Sequence, residues 1–312
     1  MNKLISLVIP FYNESLGIDV FFEKVYSVIS DLPDYRFEII AINDGSRDST
    51  LDRLFAAKVK FGNIHIVEFS RNFGKEAALT AGLDRATGDA VIPIDSDLQH
   101  PPELIKQMLA EWVNGADVVL AKRNDRVTDS PAQKLAASIF YRLHNYISDI
   151  EIPPDVGDFR LMDQSVVATL RGMPENQRFM KGLFAWVGFR SVTIRYDVAP
   201  RHKGQSNFNI WKLWNFALEG ITSFSTIPLR IWTYLGAFAS LIAITYAVLI
   251  MIKTLVYGID IPGYSSLMVV MLFLGGVQLI GIGVMGEYIG RIYNEVKRRP
   301  VYIVREEYPI NR

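Results

Sequence analysis

Two long uncharged stretches near the C-terminus constrain this chain most. Ile231 to Ile252 and Tyr264 to Gly286 contain no Asp, Glu, Lys or Arg. Each meets the roughly 20-residue length that a helix needs to cross about 30 Å of hydrocarbon. A spanning backbone must satisfy its own hydrogen bonds, so helix is the expected form. The alternative is a pair of buried core helices. The connector 253–263 carries one basic residue, Lys253, whereas Arg230 precedes the first stretch and Arg291, Lys297, Arg298 and Arg299 follow the second. The positive-inside rule then expects a hairpin with a short external loop and both termini in the cytoplasm.

Everything before Ser225 reads differently. Apolar runs at Ile5–Ile9, Phe37–Ile42, Ile64–Phe69, Ala90–Ile94 and Asp117–Ala121 have strand length, and amphipathic helical segments lie between them. The helices are expected up to Ser30, after the N-cap candidates Asp48 and Ser49, over Lys75–Ala86, and from Pro101 to Asn114. Such alternation with short connections predicts an α/β fold with a doubly wound, mainly parallel sheet. After Arg123 the alternation loosens. Helices are expected over Pro131–Ser148, Met162–Arg171 and Gln177–Trp186, and a strand over Phe189–Val198. The aromatic-rich run Phe208–Phe224 reads as a helix in the membrane interface or as an ordinary core helix. Val301–Val304 has strand character. Chain order keeps it out of the main sheet, so it should dock on its own domain or on a neighbour's sheet edge. Glu287 and Arg291 are spaced to pair at i, i+4. The expected organisation is a catalytic domain over 1–207, an interface segment over 208–228, a membrane hairpin over 229–290 and a cytoplasmic tail over 291–312.

Composition removes several classes of function. The formal net charge is zero, so no nucleic-acid partner is expected. Cys is absent, which excludes a disulfide framework and a Cys-based zinc site. The apolar run Leu4–Ile9 is too short for a signal-peptide core.

The chemistry gathers at strand ends. Asp95 and Asp97 follow the fourth strand at i, i+2, Asp44 follows the second, and Tyr12-Asn13-Glu14 follows the first. The crevice beyond the C-terminal ends of parallel strands is where open α/β sheets bind ligands. No glycine-rich phosphate loop follows any strand, so a cation is expected to carry phosphate charge. The two carboxylates suit Mg²⁺ or Mn²⁺. Gln99 is either a third ligand or a cap for the helix at Pro101.

Six motifs occur in order: Pro10-x-Tyr12-Asn13-Glu14, Asn43-Asp44-Gly45-Ser46, Arg71-Asn72-Phe73-Gly74-Lys75, Asp95-Ser96-Asp97-Leu98-Gln99, Gly157-Asp158-Phe159-Arg160 and Ser223-Phe224-Ser225-x-x-Pro228-Leu229-Arg230. Together they resemble the polyprenyl-phosphate glycosyltransferases of the inverting GT-A class, and most closely those with two C-terminal membrane helices that glucosylate bactoprenol. The resemblance covers essentially the whole chain. It implies a GT-A sheet followed by interface helices and two transmembrane helices in a bacterial inner membrane. It also implies transfer of a sugar, with inversion, from a nucleotide-diphosphate sugar to a polyprenyl-phosphate lipid, and a homo-oligomer such as a tetramer. On overall likeness the donor is UDP-glucose and the product serves O-antigen or envelope glycans. Mannose and amino-arabinose are the alternative sugars.

Carried residue by residue, the resemblance gives Asp95, Asp97 and Gln99 the metal. Pro10, Tyr12, Glu14, Asp44, Lys75, Asp95 and Ser96 take the nucleotide sugar. Asp44 also reads as a turn former, and Lys75 as a solvated helix residue. Asp158, with Asp97, is the catalytic candidate, either as a base or as a group that orients its neighbours. Arg123, Arg126, Arg160, Arg201, Lys203 and Ser206 are the candidates for the acceptor phosphate, Arg being suited to bidentate contact. The basic loop departs from its usual form, since Asn207 stands where relatives carry a lysine.

Overall fold

The computed structural model describes residues 3–123, 156–176, 178–196, 225, 227–257 and 263–310. The calls on Pro131–Ser148, on the interface helix, and on Arg126, Arg201, Lys203 and Ser206 lie outside the described residues. Arg123 closes a strand, and only its backbone position is described.

Apolar strands covered on both faces run as unbroken hydrophobic segments rather than alternating ones. That is the pattern of β1 (Lys3–Phe11), β2 (Tyr35–Asn43), β3 (Ile64–Phe69) and β4 (Ala90–Pro93). They form the parallel centre of an eight-stranded sheet. The connecting helices are α1 (Ile18–Ser30), α2 (Thr50–Phe61), α3 (Lys75–Arg85) and α4 (Leu104–Val113). Beyond β4 the sheet continues through β6 (Val156–Asp163), β5 (Val118–Arg123) and β7 (Ser191–Tyr196). β6 runs antiparallel to both β4 and β5. Two short helices, α5 (Gln164–Arg171) and α6 (Met180–Trp186), follow β6. The expected helix at Met162 therefore starts at Gln164, because Met162 is still paired in the strand. The expectation of an α/β, mainly parallel architecture holds, with the antiparallel β6 set into it.

Helices α1, α2 and α4 cover one face, where Leu7, Ile9, Ile39 and Ala41 meet Phe21, Phe22, Leu54 and Met108. Helices α3, α5 and α6 cover the other, where Val8, Ile40 and Ile42 meet Ala78, Ala81, Val167 and Leu183. α3 packs close because its inner face is small. A Cβ on Gly82 would lie 2.1 Å from Val8 Cγ1, so this position admits only glycine without a shift of the helix.

Chain order misjudged the tail. β8 (Val304–Tyr308) is in the main sheet, antiparallel to β3 at its outer edge. The reason is chemical complementarity across 200 residues of sequence, which periodicity cannot see. Arg85 pairs with Glu307 and donates to Tyr302 Oη, and Lys58 Nζ donates to Tyr308 O at 2.7 Å. Tyr302 stacks on Phe69 at 5.1 Å, and Tyr308 packs edge-on against Phe55 at 4.6 Å. An exposed strand edge is thereby covered.

The two uncharged stretches are helices, α7 (Ile227–Tyr257) and α8 (Tyr264–Val296). Tyr234–Tyr257 and Phe273–Val296 are long and apolar enough to cross a membrane. Their large side chains point outward, Leu241 being 64% and Ile280 61% exposed, so they are not core helices of a soluble domain. α8 continues past Gly286 and carries the expected Arg291–Glu287 pair at 3.5 Å. One turn on, the Glu295 carboxylate accepts the Asn176 N–H at 3.0 and 3.1 Å, which ties the hairpin to the sheet domain. Replacing Tyr308 with Ala should lower stability by about 1–3 kcal/mol. Thermal unfolding of the detergent-solubilised protein checks this, and an unchanged midpoint would show that β8 is not a structural element.

Candidate active site

The C-terminal ends of β1 and β2 carry two loops that hold each other. Asn13 N donates to Ser46 Oγ at 3.0 Å, Arg47 N to Asn13 Oδ1 at 2.9 Å, and Glu14 N to Thr50 Oγ1 at 2.9 Å. Asp48, rather than Ser49, caps this corner: its Oδ1 accepts Thr50 N and its Oδ2 accepts Ser15 N. A third loop, 70–74, lies directly against Gly45. A Cβ there would sit 2.3 Å from the Arg71 carbonyl carbon, and the φ of +62° is left-handed. Both facts demand glycine.

Asp44 fixes the third loop. Its carboxylate accepts Phe73 N at 2.6 Å and Gly74 N at 3.0 Å. Burial raises its pKa, against the pull of those two N–H donors. The turn reading of Asp44 is thus realised across space, by aiming the start of α3, while Asp44 also lines the cleft.

That cleft has a volume of about 310 Å³ and is lined by Pro10, Tyr12, Glu14, Asp44, Lys75, Asp95, Ser96 and Asp97 among others. Every residue that the resemblance gives to the nucleotide sugar therefore reaches one crevice. Gln99 is not among the lining residues, and its backbone N–H donates to Asp97 Oδ1 at 3.0 Å. Between them Leu98 has a φ of +59°, a strained value for a branched-chain residue, of the kind found where a loop must aim functional groups.

Lys75 is not simply solvated. Its ammonium lies 2.6 Å from Asp95 Oδ1 and 2.7 Å from Asp158 Oδ2. Burial would lower its pKa, but the two carboxylates outweigh that and hold it above the ordinary lysine value. Burial would likewise raise Asp158, yet Lys75 first, with Lys181 and Arg160, brings it down to about 2. Asp158 Oδ1 is buried and has no hydrogen-bond partner among the described residues. Arg160 is buried as well: its Nη2 donates to Gly157 O at 2.7 Å and its guanidinium lies 4.0 Å over the Phe184 ring. Burial lowers it to about 10.

Sequence reasoning missed Glu76. As a first-turn carboxylate it reads as a solvated partner of the helix dipole. In the fold α6 covers it, and Met180 N donates to Glu76 Oε2 at 3.2 Å. Burial first, and then the charge of Asp158, push its pKa up to about 7. His100, also missed, is buried against Phe159, with Nδ1 3.6 Å from Asp95 Oδ2. Only the neighbourhood of the Lys75 and Asp95 motifs pointed to either residue.

Asp95 and Asp97 bring hard oxygen donors to the cleft, and the Lys75 ammonium marks where positive charge is accommodated. No group of three or more His, Cys, Asp or Glu among the described residues is arranged to hold an ion. Two carboxylates are a donor set that Mg²⁺ or Mn²⁺ accepts where substrate oxygens and water fill the remaining positions.

Glu76 gives a pH test. Its folded pKa lies above the unfolded 4.5, so its contribution to stability is full below about pH 4.5 and is lost as pH rises through 7. Glu76→Gln should then be more stable than the parent by roughly 1–2 kcal/mol at pH 8, with the gap closing below pH 5. Denaturant unfolding at the two pH values measures this, and an equal gap at both would be the contrary result.

Residues 6–171 match the family described as Glycosyl transferase family 2, and residues 227–292 match the family described as GtrB C-terminal hairpin. An uncharacterized glycosyltransferase of Synechocystis sp. is 51% identical over 98% of this chain and 96% of that protein. The bactoprenol glucosyl transferase of Shigella phage SfV is 54% identical over 97% of this chain and 98% of that protein. A prophage bactoprenol glucosyl transferase homolog of Escherichia coli is 51% identical over 96% of this chain and 98% of that protein. With that match over more than half its length and relatives more than 50% identical along nearly all of it, this chain belongs to glycosyl transferase family 2.

Proposed function

We propose that this protein transfers glucose, with inversion, from UDP-glucose to undecaprenyl phosphate on the inner face of a bacterial plasma membrane, for O-antigen or envelope glycans. The observation that carries the reading is the Lys75 ammonium, which joins the donor cleft at Asp95 to Asp158. The full-length likeness to bactoprenol glucosyl transferases supports the lipid acceptor and the glucose. In the proposed organisation, residues 1–207 form the catalytic domain, 208–228 lie in the interface, 229–290 span the bilayer and 291–312 return to the cytoplasm. A homo-oligomer, a tetramer in the resemblance, is part of the same proposal.

The chain's residues divide the work. Tyr12, 44% exposed at the cleft, offers its ring to the nucleobase, and Pro10, Glu14 and Ser96 shape the wall around the nucleotide sugar. Asp95 and Asp97, with Gln99 beside them, would hold Mg²⁺ or Mn²⁺, and the ion when bound would neutralise the diphosphate leaving group as a Lewis acid. The acceptor is a phosphate monoester whose second pKa is about 6, so it is dianionic at neutral pH. One of its oxygens forms the new bond to the sugar C1 as the bond from C1 to the UDP oxygen breaks, and UDP leaves with that electron pair. No proton has to move. A carboxylate with a pKa of about 2 is a weak proton acceptor, which favours the orienting role for Asp158 over the base. Arg123, Arg126, Arg160, Arg201, Lys203 and Ser206 supply the acceptor phosphate with cations and a hydroxyl donor.

Transfer of radiolabel into solvent-extractable lipid tests the reading, with UDP-glucose, GDP-mannose and UDP-amino-arabinose compared. Lipid product from UDP-glucose is expected, and Asp97→Asn should reduce it by about 10³-fold at every metal concentration. The acid limb of the rate should lie near the acceptor's own pKa of about 6. No lipid product from any donor would overturn the reading.

A further inference from the structure

Two carboxylates with no step in the transfer act on one short segment. Between α5 and α6 the chain passes through a strap whose described residues are 172–176 and 178–179. The Glu295 carboxylate takes the Asn176 N–H on both oxygens, at 3.1 and 3.0 Å. Four residues on, the Glu76 carboxylate takes the Met180 N–H at 3.2 Å. One anchor stands on α8, the second helix of the hairpin. The other stands on α3, beside Lys75.

The strap between the anchors is stiff. Arg178 Nη2 donates to Met173 O at 2.8 Å and its Nε to Glu175 O at 3.2 Å, which folds the strap on itself. Phe179 and Met180 are buried. Phe179 O accepts Gly182 N and Leu183 N, each at 3.0 Å, and so starts α6. A displacement at Asn176 is therefore passed on to α6. What α6 carries makes that displacement matter. Burial would raise the pKa of Asp158, and Lys181 is among the charges that bring it down. The Phe184 ring lies 4.0 Å from the Arg160 guanidinium.

Glu295 is also an unusual residue for its place. It is the penultimate residue of α8, where the negative end of the helix dipole disfavours a carboxylate. Helix stability gives no reason for it, whereas its grip on the strap does.

We propose that Glu295 is a positioning residue: from the end of α8 it holds the strap, and through the strap it keeps α6 over Glu76 and Asp158 in the reactive arrangement. The inference rests on the transfer reaction proposed above and adds to it a control of the crevice from the hairpin.

The test uses the full-length enzyme in detergent, with UDP-glucose and a short-chain prenyl phosphate. Two variants separate reach from charge. Glu295→Asp keeps the charge but falls one methylene short of the strap, and it should lower kcat about tenfold, since a misplacement of about 1 Å away from the chemistry can cost up to about 10²-fold. Glu295→Gln keeps the reach and one acceptor oxygen, and its kcat should stay within about threefold of the parent. The Kd for UDP-glucose should change less than about twofold in both, because other residues line the donor cleft. Glu287→Gln, two turns earlier on the same helix, should leave kcat within about twofold. Amide hydrogen exchange over 178–186 should quicken in Glu295→Asp and not in Glu295→Gln, with β1 to β4 unchanged in both. Asn176→Pro deletes the N–H from the strap side and should repeat the loss of kcat if Glu295→Asp fails to fold. Parental kcat in Glu295→Asp, equal losses in the Asp and Gln variants, or an equal loss in Glu287→Gln overturns the positioning role and leaves the transfer reaction standing. A wild-type enzyme that forms no lipid product overturns the reaction, and this role with it.

Discussion

One ammonium group holds the two sides of this active-site candidate together. Lys75 lies 2.6 Å from Asp95 and 2.7 Å from Asp158, carboxylates carried by the loop after β4 and by its antiparallel neighbour β6. Two carboxylates facing each other across a partly dry crevice repel, and burial alone would raise the pKa of Asp158. With Lys75 between them Asp158 stays ionised down to about pH 2. The position of Lys75 depends in turn on Asp44, whose two N–H acceptor bonds aim the start of α3. The chain of dependence therefore runs from a turn at the end of β2, through a helix start, to the charge balance at the crevice.

The surrounding architecture keeps that crevice in register. α3 can lie flat on β1 and β2 because of Gly82, and the loops after β1 and β2 close on each other through Gly45, Asn13 and Ser46. The chain then leaves for the hairpin and comes back. Glu295 near the end of α8 grips Asn176, and β8 pairs with the outer edge of β3, just before the 70–74 loop. Ser70 N donates to Ile303 O at 3.0 Å, so the returning tail touches the segment that leads to Lys75. The membrane-side elements and the crevice are mechanically connected by ordinary hydrogen bonds.

Much of this was legible in the sequence, and the limits are physical. β1 to β4 were readable because strands covered on both faces are continuous apolar runs, and the hairpin was readable because a bilayer needs uncharged length. Strand ends gave Asp44 and Asp95 a shared edge, and the ordered motifs brought Lys75 and Asp158 to the same reaction. What sequence could not supply was partnership. Asp44 was expected at the nucleotide, but its nearest donors are the N–H groups of Phe73 and Gly74, some thirty positions on. Glu76 drew no attention because nothing local announces that Met180 will cover it. The tail strand looked excluded from the sheet because chain order ignores Arg85, Lys58 and Phe55 waiting at its edge.

If Lys75 and Asp158 act as one unit, a double-mutant cycle on lipid-product formation measures it directly. Lys75→Met and Asp158→Asn should each lower the transfer rate by about 10²-fold or more, with the double variant no more than tenfold below the weaker single. Losses that multiply in the double variant would show two independent residues and would contradict the account.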